Sequence, residues 1–127
     1  MIFNLFTYTD WALLALRVAA GAIFIVHGLP KLKNLKGTAG WLTSEGFWPG
    51  MFWALVLSVL EVAGGAALII GVYAQIPAIL LAIQMFVGTI WKIKKGMALV
   101  NGYEIDLALL GGALVIMTLG PGAYALL

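Results

Sequence analysis

WALVLSVLEVAGGAALIIGVY, residues 53–73, carries a single charged side chain, Glu61, near its middle. An α-helix rises about 1.5 Å per residue, so about 20 apolar residues match the roughly 30 Å hydrocarbon core of a bilayer. An ionisable group at that depth is costly and needs a partner or a purpose. The stretch reads as a membrane-crossing helix with a charge inside it.

The rest of the chain agrees. Hydrophobic residues make up 64% of its 127 positions and charged residues 9%, against about 25% charged in soluble domains. Mean hydropathy is +1.10. A soluble fold of this size cannot hide so much apolar surface, so lipid must solvate much of it. The length predicts one domain over residues 1–127. There is no cysteine, which excludes disulfides, thiol redox catalysis, iron–sulfur clusters and covalent c-type haem within the chain.

Four spans are legible, at about 11–29, 51–72, 74–91 and 103–120. Each must be helical, because four strands cannot close a barrel and lipid offers no water to free backbone groups. The predicted fold is therefore all-α: an integral membrane four-helix bundle built from two hairpins. Pro77 falls in the first turn of the third span, where it is tolerated, and Gly120-Pro121-Gly122 stops the fourth. Trp11, Trp53, Tyr73, Trp91, Tyr103 and Tyr124 lie near span ends, as interfacial aromatic residues do. The N-terminal MIFNLFTYTD lacks a basic region, and the first span runs into HGLPK without a small-residue cleavage site, so it is expected to remain as an anchor.

Lys31, Lys33 and Lys36 fall in the first connection, and Lys92, Lys94 and Lys95 in the third. The positive-inside rule then places both basic loops in the cytoplasm of a cell (inner) membrane and both termini outside. These clusters are explained by topology, and nucleic-acid binding has no support. The first connection, about 30–50, carries Trp41 and Trp48 among Lys and Gly; it is expected to lie on the membrane interface, as a packed segment or as a lid over the bundle. A faint repeat links the halves: Glu61 precedes Gly64-Gly65-Ala66, and Asp106 precedes Gly111-Gly112-Ala113. If real, it relates the hairpins about an axis along the membrane normal.

Counting rise per residue arranges the polar groups as a column. Arg17 lies about 9 Å below the outer end of its span, Glu61 and Gln84 near the midplane, and His27 with Asp106 or Glu104 at the inner side. An extended Arg17 is expected to pair with Glu61, since each relieves the other's desolvation. The competing reading is a buried ion pair that only fixes helix register. His27, the sole histidine, sits at a helix end, where an interfacial hydrogen bonder is commoner than a ligand; a carboxylate partner would make it a proton carrier. One histidine with scattered carboxylates offers no metal-ligand spacing, and haem b would need a better ligand set. Neither phosphate-binding glycine pattern is present. The glycine pairs read as helix-packing sites.

In order along the chain, these residues resemble the DoxX family of small four-helix membrane proteins. The carriers are Arg17; His27-Gly28-Leu29-Pro30-Lys31; Glu61-Val62-Ala63-Gly64-Gly65 with Leu68 and Gly71; Asn101-Gly102-Tyr103-Glu104; and Gly120-Pro121-Gly122 before Tyr124. Members often close with Ser-Leu-Asp, whereas this chain ends Tyr124-Ala125-Leu126-Leu127, so any role of that terminal acid does not transfer. The resemblance implies a membrane subunit in a redox or oxidative-stress system, as in thiosulfate:quinone oxidoreductase, working with a partner oxidoreductase subunit. Quinone is the implied lipid-soluble cofactor. An apolar bundle suits its tail, its carbonyls need donors such as Arg17, Gln84 or His27, and Glu61 could relay protons. The chain itself carries no self-contained catalytic centre. Two alternatives stand beside this reading: a small transporter or channel, for which four helices argue a homo-oligomer, and a structural scaffold.

Overall fold

The computed structural model describes residues 6–125. After a 3-10 turn at Phe6–Tyr8 come α1 (Thr9–Lys33), α2 (Leu35–Ser44), α3 (Gly50–Ile70) and α4 (Gln75–Lys94). A π-type turn at Leu99–Tyr103 then leads into α5 (Glu104–Leu119). No strand occurs among the described residues, and four helical segments are long and apolar enough to cross a bilayer. The protein is a multi-pass membrane protein of the all-α class.

The helices pair as two hairpins, α1 on α3 and α4 on α5, with lighter contact between them and α2 laid against the start of α3. The first hairpin closes where two backbones nearly touch. A methyl group on Gly21 would come within 2.5 Å of the Gly65 carbonyl oxygen, and one on Gly65 within 2.6 Å of the Gly21 oxygen. Small residues permit such approach, which in lipid is a main source of helix association. Phe24, Leu68, Leu81 and Ile116 fill the interior. Val26, Val59, Ile83 and Phe86 face outward as they would toward acyl chains.

The expected spans hold to within a few residues, with one instructive exception. Pro30 does not end α1. Within a helix it forfeits one backbone bond, and α1 runs on to Lys33, where the Asn34 N–H donates to the Pro30 carbonyl at 3.1 Å. Asn34 then caps α2, its Oδ1 accepting from the Gly37 N–H at 3.2 Å, a standard N-cap contact. The long first connection is thus mostly helical. Leu42 of α2 is buried, and the Trp41 ring meets Trp91 edge-on at 5.5 Å.

Candidate functional site

Every ion pair among the described residues lies toward the end of the bundle that carries the lysines. The most enclosed centres on Glu61, 2% exposed on α3. Gly28 of α1 lies directly against it, a methyl group there falling 2.7 Å from the Glu61 Cβ. One turn on, Lys31 reaches back along the bundle and places its Nζ 2.6 Å from Glu61 Oε1. The half-buried Gln84 of α4 donates its Nε2 to the same Oε1. Glu61 Oε2 and Gln84 Oε1 are buried and have no hydrogen-bond partner. Both are acceptor atoms, and a buried acceptor without a donor costs about 1–3 kcal/mol.

The second hairpin repeats this arrangement. Lys92, near the end of α4, stands 3.1 Å from Asp106 Oδ2 on α5 and also donates to the Gly102 carbonyl at 3.3 Å. Gly88, one turn before Lys92, lies against the same carboxylate, with 3.2 Å from a notional Cβ to Asp106 Oδ2. In each hairpin a glycine makes room for an acid on the returning helix, and a lysine one turn further pairs with it. That geometry gives the faint sequence repeat a structural content. The glycine pairs share it only in part: Gly65 lies against the Gly21 backbone, whereas its counterpart Gly112 meets the Leu16 side chain, at 3.1 Å from a notional Cβ, and Gly111 faces open space. A third pair, Lys95 with Glu45 at 2.7 Å, joins the ends of α4 and α2, with Lys95 5.7 Å above the Trp91 ring.

Arg17 departs from expectation. It is fully buried, yet it does not meet Glu61. The Gly21–Gly65 crossing sets Arg17 beside Leu68, seven residues and about 10 Å along α3 from Glu61. An arginine side chain cannot span that gap. Instead its Nη1 donates to the Leu68 carbonyl at 3.3 Å and its Nη2 to the Tyr124 carbonyl at 2.8 Å. Leu68 O belongs to the last turn of α3, where carbonyls lack helical partners and the helix dipole favours a cation. Gly71, at φ +84°, leaves room for the guanidinium and for Ala125. The C-terminal segment is further held by Asp10, whose Oδ1 accepts from the Ala123 N–H at 3.0 Å, and by Trp11 against Tyr124 at 4.5 Å.

Two more members of the expected column lie elsewhere. His27 is exposed on the flank of α1, turned away because Gly28 occupies the inward position; it does not meet Asp106. Glu104 is exposed at the start of α5, where its Oε1 accepts from the Asn101 N–H at 3.3 Å. Asn101 itself has φ 60°. Of six residues, the structure brings together Glu61 with Gln84, holds Asp106 in its own pair, and separates Arg17, His27 and Glu104.

Lys31 and Lys92 are the residues that sequence reasoning missed as site members, having counted them as loop charges. The usable signal was position. A lysine within one turn of an apolar run can lay its stem along the helix and turn its ammonium inward when an acid waits there.

Comparison with known proteins accords with this framework. The DoxX family model matches residues 12–94. The chain is 34% identical over 97 residues to the protein named "Putative oxidoreductase CatD" from Bacillus subtilis (strain 168), covering 76% of this chain and 70% of that one. It is 28% identical over 123 residues to "Inner membrane protein YphA" from Escherichia coli (strain K12), covering 90% and 86% respectively. No solved structure matches significantly. With a four-span bundle and a family match that runs from α1 to the end of α4 and takes in the Lys31–Glu61 pair, the chain belongs to the DoxX family.

Proposed function

We propose that the protein is the membrane subunit of a redox system and that the Glu61–Gln84–Lys31 cluster receives the head group of a lipid-soluble quinone couple. The observation that carries this reading is the pair of buried, unpartnered oxygens, Glu61 Oε2 and Gln84 Oε1, between α3 and α4. Buried polar atoms are normally satisfied, and a small polar head with an apolar tail is what such a place suits. The likeness to a relative named as an oxidoreductase supports the redox assignment.

Each residue has a part. Lys31 holds the carboxylate through Oε1, Gln84 orients it from α4, and Oε2 is left to exchange a proton with the ring. The chain has no cysteine, and no group of three or more His, Cys, Asp or Glu side chains gathers among the described residues. Electrons are therefore assigned to a partner oxidoreductase subunit. We place the lysine-bearing end in the cytoplasm and both termini outside, on the positive-inside rule.

Titrating the purified protein with the oxidised and the reduced form of a short-tailed quinone, before and after Glu61→Gln, tests the proposal. Saturable binding that depends on Glu61 is expected. Absence of binding, with Glu61→Gln altering only stability, would leave the lysine–carboxylate pairs as devices of helix register. Proton or solute flux in liposomes lost with the same substitution would instead favour transport.

A further inference from the structure

The bonding valences left over at Glu61 specify the oxidation state of the ligand. Lys31 and the Gln84 amide each place one N–H on Oε1. The buried atoms of this cluster left with no partner at all are Glu61 Oε2 and Gln84 Oε1, acceptors both. Arg17 and His27, the other donors that a carbonyl would call on, lie elsewhere. A dione presents only acceptors to this face, so a quinone carbonyl would meet two oxygens with no proton between them. A dihydroxybenzene head presents O–H donors and satisfies them.

Beside this pair runs a groove of about 400 Å³ between α3 and α4, lined among others by Val59, Leu60, Ala63, Gly64, Ile76 and Leu80. Leu60 and Gly64 flank Glu61 in sequence on α3, and Leu80 lies one turn from Gln84 on α4, so the groove passes near the polar pair while neither polar residue lines it. Val59, Ile76 and Leu80 are open to the lipid side. An apolar chain anchored by its head at Glu61 fits along it.

We propose that the site binds the reduced, dihydroxy form of a lipid quinone in preference to the dione. One ring hydroxyl donates to Glu61 Oε2 beside Gln84 Oε1, and the tail lies in the α3–α4 groove. This rests on the quinone reading above and sharpens it. The half-buried Gln84 side chain is the movable wall through which the ring enters.

The test is equilibrium binding of radiolabelled decyl-hydroquinone and decyl-benzoquinone to the protein in lipid nanodiscs, with empty discs subtracted. The hydroquinone should bind at least about tenfold more tightly. Glu61→Gln, which exchanges an acceptor for an amide donor, should bring that ratio below about threefold. Gln84→Leu, which leaves Lys31 on Glu61, should weaken hydroquinone binding with the fold intact by thermal melting. Ala63→Phe should weaken the decyl probe and spare tail-less hydroquinone. Equal or tighter binding of the dione, or a ratio unchanged in Glu61→Gln, overturns the proposal while leaving a quinone site standing. If neither form binds, both readings fall; if Ala63→Phe weakens neither probe, the groove assignment is overturned.

Discussion

Exchanging Lys31 for methionine should expose how the bundle holds its inner charge. The substitution keeps much of the apolar stem and removes the ammonium 2.6 Å from Glu61 Oε1, leaving a carboxylate that is 2% exposed. Breaking a buried pair from one side costs about 3–5 kcal/mol. Lys31 is itself 34% exposed, so part of that attraction is screened, and about 2–3 kcal/mol is the expected loss. Glu61→Gln should cost less, about 1 kcal/mol, because the freed lysine can turn toward the headgroups. The double variant carries no unpaired buried charge and should lose about 2 kcal/mol, recovering part of the Lys31→Met loss. That falls about 1.5 kcal/mol short of the two single losses together, where independent sites add to within about 0.5 kcal/mol. Reversible unfolding in mixed micelles measures all four corners. The matching Arg17→Met and Glu61→Gln cycle should show no coupling, since about 10 Å of helix separates the sites. A coupling of Glu61 to Arg17 that exceeds its coupling to Lys31 would refute the arrangement.

Four further outcomes are expected. Gly65→Val, which would drive a side chain into the Gly21 carbonyl and Ile25, should destabilise by at least about 1–3 kcal/mol in the same unfolding assay. Lys92→Met should be rescued by Asp106→Asn, as Lys31→Met is by Glu61→Gln, because the two hairpins share one device; thermal melting of the single and double variants measures it. Lys95→Ala should change stability by no more than about 1 kcal/mol, since the Lys95 side chain is 51% exposed and its pair with Glu45 is solvent-screened. Single cysteines placed at Lys36 and Tyr73 of this cysteine-free chain should react with a membrane-impermeant thiol reagent from opposite faces, position 36 only from the cytoplasmic side.

Much of the architecture was legible in the chain as a string. Apolar run length, interfacial aromatic residues and the Gly120-Pro121-Gly122 stop predict four helices and their ends, because the bilayer acts on each segment separately. The meeting of Glu61 with Gln84 was also readable, since both sit near the middle of their spans. The first apolar run reads as ending near residue 29, whereas α1 continues through Pro30 to Lys33, because a proline near a helix end forfeits one bond and need not stop the helix.

Which cation answers Glu61 was not readable. Rise per residue gives depth, and depth alone favours Arg17, because Lys31 falls in the connection beyond the inner end of its span. The choice depends on where α1 crosses α3 and which face each helix turns inward. Those are set by contact between backbones 44 positions apart in sequence, at Gly21 and Gly65. That crossing puts Gly28 against the acid, turns His27 outward, brings Lys31 back from the helix end, and strands Arg17 among the terminal carbonyls of α3 and the C-terminal segment. Hydropathy is a sum over neighbours along the chain; the identity of an ion pair is a property of two surfaces brought together.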